Sequence, residues 1–149
     1  MKKLLIILMG LIMTLTAQAQ IGHTLEDVKK HYGNPTKEPQ DAISNRKIYD
    51  FETGQLYISI WISPADKVCR LSIAKKDGTG FTSAECFDFL KKEAPHIAYW
   101  VLISFSDDHK IWLKGLDTTG KTYYFAALYP TAMAIWTEED NVNTLVDGR

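Results

Sequence analysis

What this chain has little of narrows its class before any motif is read. Cysteine occurs twice and proline five times in 149 residues. With no C-x-x-C and no cysteine beside a histidine, zinc-ribbon and thiol-redox chemistry have no starting ligands. Charge of one sign is not in excess: 17 Lys and Arg stand against 18 Asp and Glu, a formal net charge of −1. Acids and bases are interspersed, so the basic footprint of a nucleic-acid binder is missing. No serine stands in G-x-S-x-G, and no glycine-rich loop has the phosphate-cradling pattern. The four histidines, His23, His31, His96 and His109, include no i,i+4 pair of the kind that shares one metal. No catalytic residue, metal or cofactor is implied.

Long hydrophobic runs are absent too, but a short one is informative. Lys2 and Lys3 precede an apolar stretch from Leu4 to Leu15, and Ala17-Gln18-Ala19 follows as a small-x-small cleavage site. This is the pattern of a secretory signal peptide cut before Gln20. The stretch falls well short of the ~20 residues of a spanning helix, so no membrane span is expected. A periplasmic or secreted location follows. Removing residues 1–19 leaves 130 residues, and losing two lysines brings the net charge to −3. That length suits one domain, expected at 20–138, followed by a polar C-terminal tail at 139–149.

Two segments carry helix signals. Thr24-Leu25-Glu26-Asp27 fits a capping box, with Leu25, Val28 and Tyr32 at helical spacing and Gly33 and Pro35 as a stop. Thr82-Ser83-Ala84-Glu85 repeats the box ahead of Phe87, Leu90 and Ala94, and Pro95 ends that helix. Residues 36–46 read as a polar loop around Pro39. Strands are expected over Lys47–Phe51, Leu56–Ile62, Lys67–Ala74, Ile97–Ser106, Lys110–Leu116, Lys121–Leu128 and Ala132–Thr137, separated by turn residues. The expected class is α+β: two short helices packed on an antiparallel sheet, in the order α-β-β-β-α-β-β-β-β. The shared T-x-x-acid, lysine-pair and proline pattern of the two helices suggests a degenerate tandem repeat.

The opening Ile21-Gly22-His23-Thr24-Leu25-Glu26-Asp27-Val28, with Tyr32-Gly33-Asn34-Pro35 after it, resembles a known pattern. It is similar to the G-x-T-x-x-x-V…x-G-x-P start of the SmpA/OmlA-like and beta-lactamase-inhibitor-protein-like (BLIP-like) small exported domains. The likeness extends over about residues 21–75. It implies a binding module and not an enzyme. Members of the first group are outer-membrane lipoproteins of an assembly complex, whereas this chain has no lipid-accepting cysteine at the expected cut. Members of the second grip a partner protein with a concave sheet face. The shared positions are structural, so no functional residue is carried over.

Strand alternation supplies the candidate surface. With the aliphatic side chains turned to the helices, Tyr57 and Trp61 share the opposite face, and Trp112, Tyr124 and Trp136 are expected together on it. Large aromatics on a sheet face mark a binding surface, cover by the fold itself, or a homodimer contact. The expected function is non-enzymatic binding of a protein partner through Tyr57, Trp61, Trp112, Tyr124 and Trp136. The alternative is a periplasmic carbohydrate- or peptide-binding protein using the same rings. A small hydrolase around Asp107, Asp108 and His109 is a third reading, which requires a cleft where a turn is also expected. Cys69 is in phase with Leu71 and Ile73, and Cys86 shares a helical face with Phe87 and Leu90. In an oxidising compartment the pair forms a disulfide, or else two small buried thiols.

Overall fold

The computed structural model describes residues 21–42 and 46–138, with the side chains of 38–42 not described. The expected signal peptide, its cleavage site and the C-terminal tail lie outside these residues. Helix α1 spans Leu25–Tyr32 and is followed by β1 (Lys37–Ala42), β2 (Arg46–Thr53), β3 (Leu56–Ile62) and β4 (Val68–Lys75). Helix α2 spans Ser83–Glu93 and is followed by β5 (Tyr99–Phe105), β6 (Ile111–Leu116), β7 (Thr122–Leu128) and β8 (Ala132–Thr137). All eight strands lie in one antiparallel sheet, ordered β1-β2-β3-β4-β8-β7-β6-β5. Each half is thus a helix and a four-stranded meander, and the meanders join through their last strands.

The α+β expectation is corrected by this architecture. The helices have 8 and 11 residues, and they bury only Val28 in α1 and Phe89, Leu90 and Glu93 in α2. The fold is sheet-dominated and helix-poor, not a helix layer laid on a sheet. The segment read as a polar loop also contributes a strand. β1 pairs with β2 from Lys37↔Asp50 to Ala42↔Arg46, with a bulge between Lys37 and Gln40. A strand containing proline is tolerated there because β1 is an edge.

Both capping boxes form. The Asp27 N–H donates to Thr24 Oγ1 at 3.3 Å, and the Thr24 hydroxyl donates to Asp27 Oδ2 at 2.8 Å. The Glu85 N–H donates to Thr82 Oγ1 at 3.2 Å, and the Thr82 N–H returns to Glu85 Oε2 at 2.7 Å. These bonds, with Lys75 Nζ 2.9 Å from Glu85, hold the Glu85 carboxyl below its ordinary range. Gly33, at φ 84°, ends α1 in a conformation that costs other residues strain.

One face of the sheet carries the main core. Strand pairing aligns Ile60 with Leu71, Leu71 with Ile135, and Ile135 with Ala126, a continuous buried row across β3, β4, β8 and β7. Phe51, Ile58, Ile73 and Met133 extend it, and Val28, Phe89 and Leu90 join it from the helices. At the β5 end, Trp100 lies opposite Gly115. A Cβ on Gly115 would meet the Trp100 ring at 3.1 Å, so the missing side chain makes room for the indole.

Stability should track this division. Ile135 is fully buried, so Ile135→Ala should cost about 2–5 kcal/mol in denaturant unfolding. Phe87 is exposed on α2, and Phe87→Ala should change stability by no more than ~0.5 kcal/mol. Equal costs at both positions would contradict the assigned core.

Candidate binding surface on the outer sheet face

The face opposite the main core has its own aromatic order, which strand register builds. Ile48 lies opposite Trp61, Trp61 opposite Arg70, and Arg70 opposite Trp136. Trp136 then faces Phe125, Phe125 faces Lys114, and Lys114 faces Val101. A single row of side chains therefore crosses the sheet from β2 to β5, passing over the join between the halves.

At the centre of the row, Arg70 sits between two indoles. Its Cζ is 5.0 Å from the centroid of Trp61 and 5.0 Å from that of Trp136. Each such contact contributes about 0.5–2 kcal/mol, more as the cation loses water. Arg70 Nε is buried and has no hydrogen-bond acceptor among the described residues, while the two rings flank the guanidinium. Phe125 stacks on Trp136 at 6.2 Å and 18°, while Trp112 meets Trp136 edge-on at 5.9 Å and 81°. Tyr129 closes the cluster edge-on to Trp112 at 6.2 Å. In the next row, Ser59 donates to Asp50 Oδ1 at 2.6 Å, and Ser72, Ala134 and Ala127 lead on to Trp112. Small side chains in that row leave the indoles standing above the sheet.

Of the five expected anchors, Trp61, Trp112 and Trp136 come together here. Tyr57 lies on the same face one row beyond Ser59, half exposed, with Lys76 Nζ 5.5 Å above its ring and 2.9 Å from Glu52. Trp136 is only 2% exposed, so it is the floor of the cluster and not a free anchor. Tyr124 is not on this face at all. It lies opposite Gly115 and packs against the main core, and Phe125 takes the outer position. The cause is a bulge between Gly115 and Leu116. The Leu116↔Thr122 pairing set by the hairpin would place residue 124 opposite residue 114. One inserted residue shifts Phe125 there instead, and a one-residue slip exchanges the faces. Arg70 and Phe125 are the members that alternation alone missed. Arg70 was visible as a charged residue amid the apolar β4, and Phe125 needed the bulge.

The cysteines do not form a disulfide in this structure; both are thiols. The Cys69 thiol is directed to the Trp61 carbonyl oxygen at 3.4 Å, while Cys86 packs at the border of the main core, where burial pushes its thiol up. Asp107, Asp108 and His109 occupy an exposed hairpin turn closed by the Ser106 N–H donating to the Lys110 oxygen at 3.0 Å. Asp108 accepts from Lys110 and from the Ser106 hydroxyl, which hold its carboxyl below the ordinary range. That is turn chemistry at exposed residues. Among the described residues, no cluster of three His, Cys, Asp or Glu is placed to hold a metal ion.

Tyr124 belongs instead to a second polar feature on the core side. Glu93 is 2% exposed, and its charge acts on both Tyr32 and Tyr124. Burial first, and then the Glu93 carboxylate, push both phenols above their ordinary range. His96 adds ring contacts to Tyr123 at 5.7 Å and to Tyr124 at 5.3 Å.

Two measurements check these placements. Trp136→Ala should destabilise by about 3–5 kcal/mol as a buried indole is lost, whereas Tyr57→Ala should stay within ~0.5 kcal/mol; the reverse order would invert the assignment of floor and rim. The second is the alkaline limb of stability. An unfolded tyrosine ionises near pH 10, while folded Tyr32 keeps its proton beyond that. The unfolded state then binds fewer protons, so stability present below about pH 10 is lost as pH rises past it. The denaturant midpoint should fall above about pH 10, and less steeply in Tyr32→Phe. Superimposable profiles would remove Tyr32 as a cause.

No family model and no curated protein matches the chain. Among solved structures it is similar to an extracellular protein containing a SCP domain from Bacillus anthracis, at 12% identity and a TM-score of 0.47 over 83% of this chain and 46% of that one. It is similar to a cysteine-rich secretory protein from Staphylococcus aureus, at 15% identity and a TM-score of 0.49 over 81% of this chain and 44% of that one. It is also similar to a DUF4309 family protein from Bacillus subtilis, at 13% identity and a TM-score of 0.35 over 77% of this chain and 78% of that one. The chain spans less than half the length of the first two, and at these identities and TM-scores the likenesses assign neither a family nor an activity.

Proposed function

We propose that this chain is an exported, non-enzymatic binding protein that takes a protein partner on the outer face of its sheet. The observation that carries the reading is the Trp61–Arg70–Trp136 ladder, a partly buried guanidinium flanked by two indole rings on the outer face. A guanidinium that is only partly buried can still donate charge-assisted hydrogen bonds to a partner's carbonyl or carboxylate. Tyr57, Trp61, Arg70 and Trp112 are moreover the residue types that dominate protein-interface hot spots. Buried Trp136 packs against Arg70 and Trp112, so the contact falls to Trp61, Arg70, Trp112 and Tyr57.

Export rests on the lysine pair, apolar stretch and Ala-x-Ala site of residues 2–19. Among the described residues, no helix is long and apolar enough to cross a membrane. The likeness of the opening segment to small exported binding modules supports the same reading, and its Thr24, Val28 and Gly33 are the residues that cap, anchor and end α1.

The test is affinity capture from periplasmic and outer-membrane fractions. The purified chain serves as bait beside a Trp61→Ala, Trp112→Ala double variant whose fold is verified by circular dichroism. The expected result is a protein retained by the parent, with affinity at least about tenfold weaker for the variant, as loss of a hot spot implies. Equal retention by both baits, or affinity for oligosaccharides and none for protein, overturns the reading.

A further inference from the structure

The two edges of the sheet are built in opposite ways. The β1 edge has the sequence Lys-Glu-Pro-Gln-Asp-Ala, with charges, a proline and a bulge. These are the features by which proteins keep an edge strand from pairing with another chain. The β5 edge has the sequence Tyr-Trp-Val-Leu-Ile-Ser-Phe, with no charge and no proline. Among the described residues it pairs with β6 alone, so one side of its backbone has no strand neighbour there. Its side chains are also uncovered: Tyr99 is 62% exposed, Leu102 60%, Ile103 51% and Phe105 59%. Tyr99 and Val101 alternate with Trp100 and Leu102, so apolar groups stand on both faces of the strand.

We propose that β5 is a homodimer interface, at which a second copy of this chain adds its own β5 antiparallel and the two sheets become one across a two-fold axis. A strand is the chemistry that satisfies an open row of backbone N–H and C=O groups. A second β5 fits because it is uncharged along its whole length, so no like charges oppose one another in any antiparallel register. Two-fold pairing also closes the assembly. It consumes both β5 edges and leaves the two β1 edges outermost, where Lys37, Glu38, Pro39 and Asp41 oppose further addition.

β5 has seven residues, and its register shifts at a bulge between Leu102 and Ser104. So short an edge covers less than the ~800 Å² per partner of a standard interface, and the dimer should form at about micromolar or higher concentration. This interface is separate from the outer-face ladder and does not rest on the binding function read there.

Sedimentation velocity over a concentration series of the purified chain tests the proposal, with amide hydrogen exchange read at both ends of the series. A monomer–dimer equilibrium is expected, with the β5 amides protected at high concentration and released on dilution. Leu102→Lys should raise the dissociation constant at least tenfold while leaving the melting temperature close to that of the parent. Should Leu102→Lys fail to fold, the concentration dependence of β5 protection in the parent decides the matter. A monomer at every concentration, a dimer whose β5 amides exchange freely, a dimer unaffected by Leu102→Lys in the folded variant, or growth into open polymers would each overturn it.

Discussion

Everything in this fold depends on one strand pairing, β4 with β8. Each half of the chain makes a helix and a four-stranded meander, and the meanders become a single sheet only where Arg70–Ala74 lie against Ala132–Trp136. At that seam Leu71 meets Ile135 and Ile73 meets Met133, and these residues are the middle of the main core. The contacting strands are far apart in sequence, so loop-closure entropy must be met before the pairing returns any burial. The return is large because the seam seals apolar surface from both meanders at once.

The same pairing makes the outer surface. Antiparallel alternation sends Leu71 and Ile73 to the core side and Arg70 to the other, directly beside Trp136. Trp61 reaches Arg70 through β3, and Phe125 reaches Trp136 through β7. The ladder therefore takes one side of its cation–π sandwich from each half, and neither half could present it alone. The core and the candidate binding surface are two faces of one joint, and a disturbance of the seam should reach both.

Features governed by local physics were legible in the sequence. The capping boxes at Thr24 and Thr82 involve residues three apart, and both form as read. Pro64, Gly54 and Gly120 mark hairpin turns for the same reason. What failed was set by distant partners. β1 was missed because Lys37, Glu38, Pro39 and Asp41 have loop composition, and only its place at the sheet edge makes such a strand acceptable. The strongly apolar β5 carries no sign in its composition that it is the opposite edge. The helices were overweighted because strong caps say where a helix starts and not how much of a core it covers. Tyr124 went to the wrong face through one bulge, and Arg70 gained its role from two tryptophans in strands that alternation alone could not order.

Native-state amide hydrogen exchange tests the seam most directly. If β4–β8 pairing holds the two meanders together as one cooperative unit, the amides of Arg70–Ala74 and Ala132–Trp136 should be among the slowest to exchange. They should also share one opening free energy with the buried amides of β3 and β7. If β3 and β7 opened at clearly different free energies, with the β4–β8 amides exchanging early, the halves would be independent units and the account of both the core and the ladder would be contradicted.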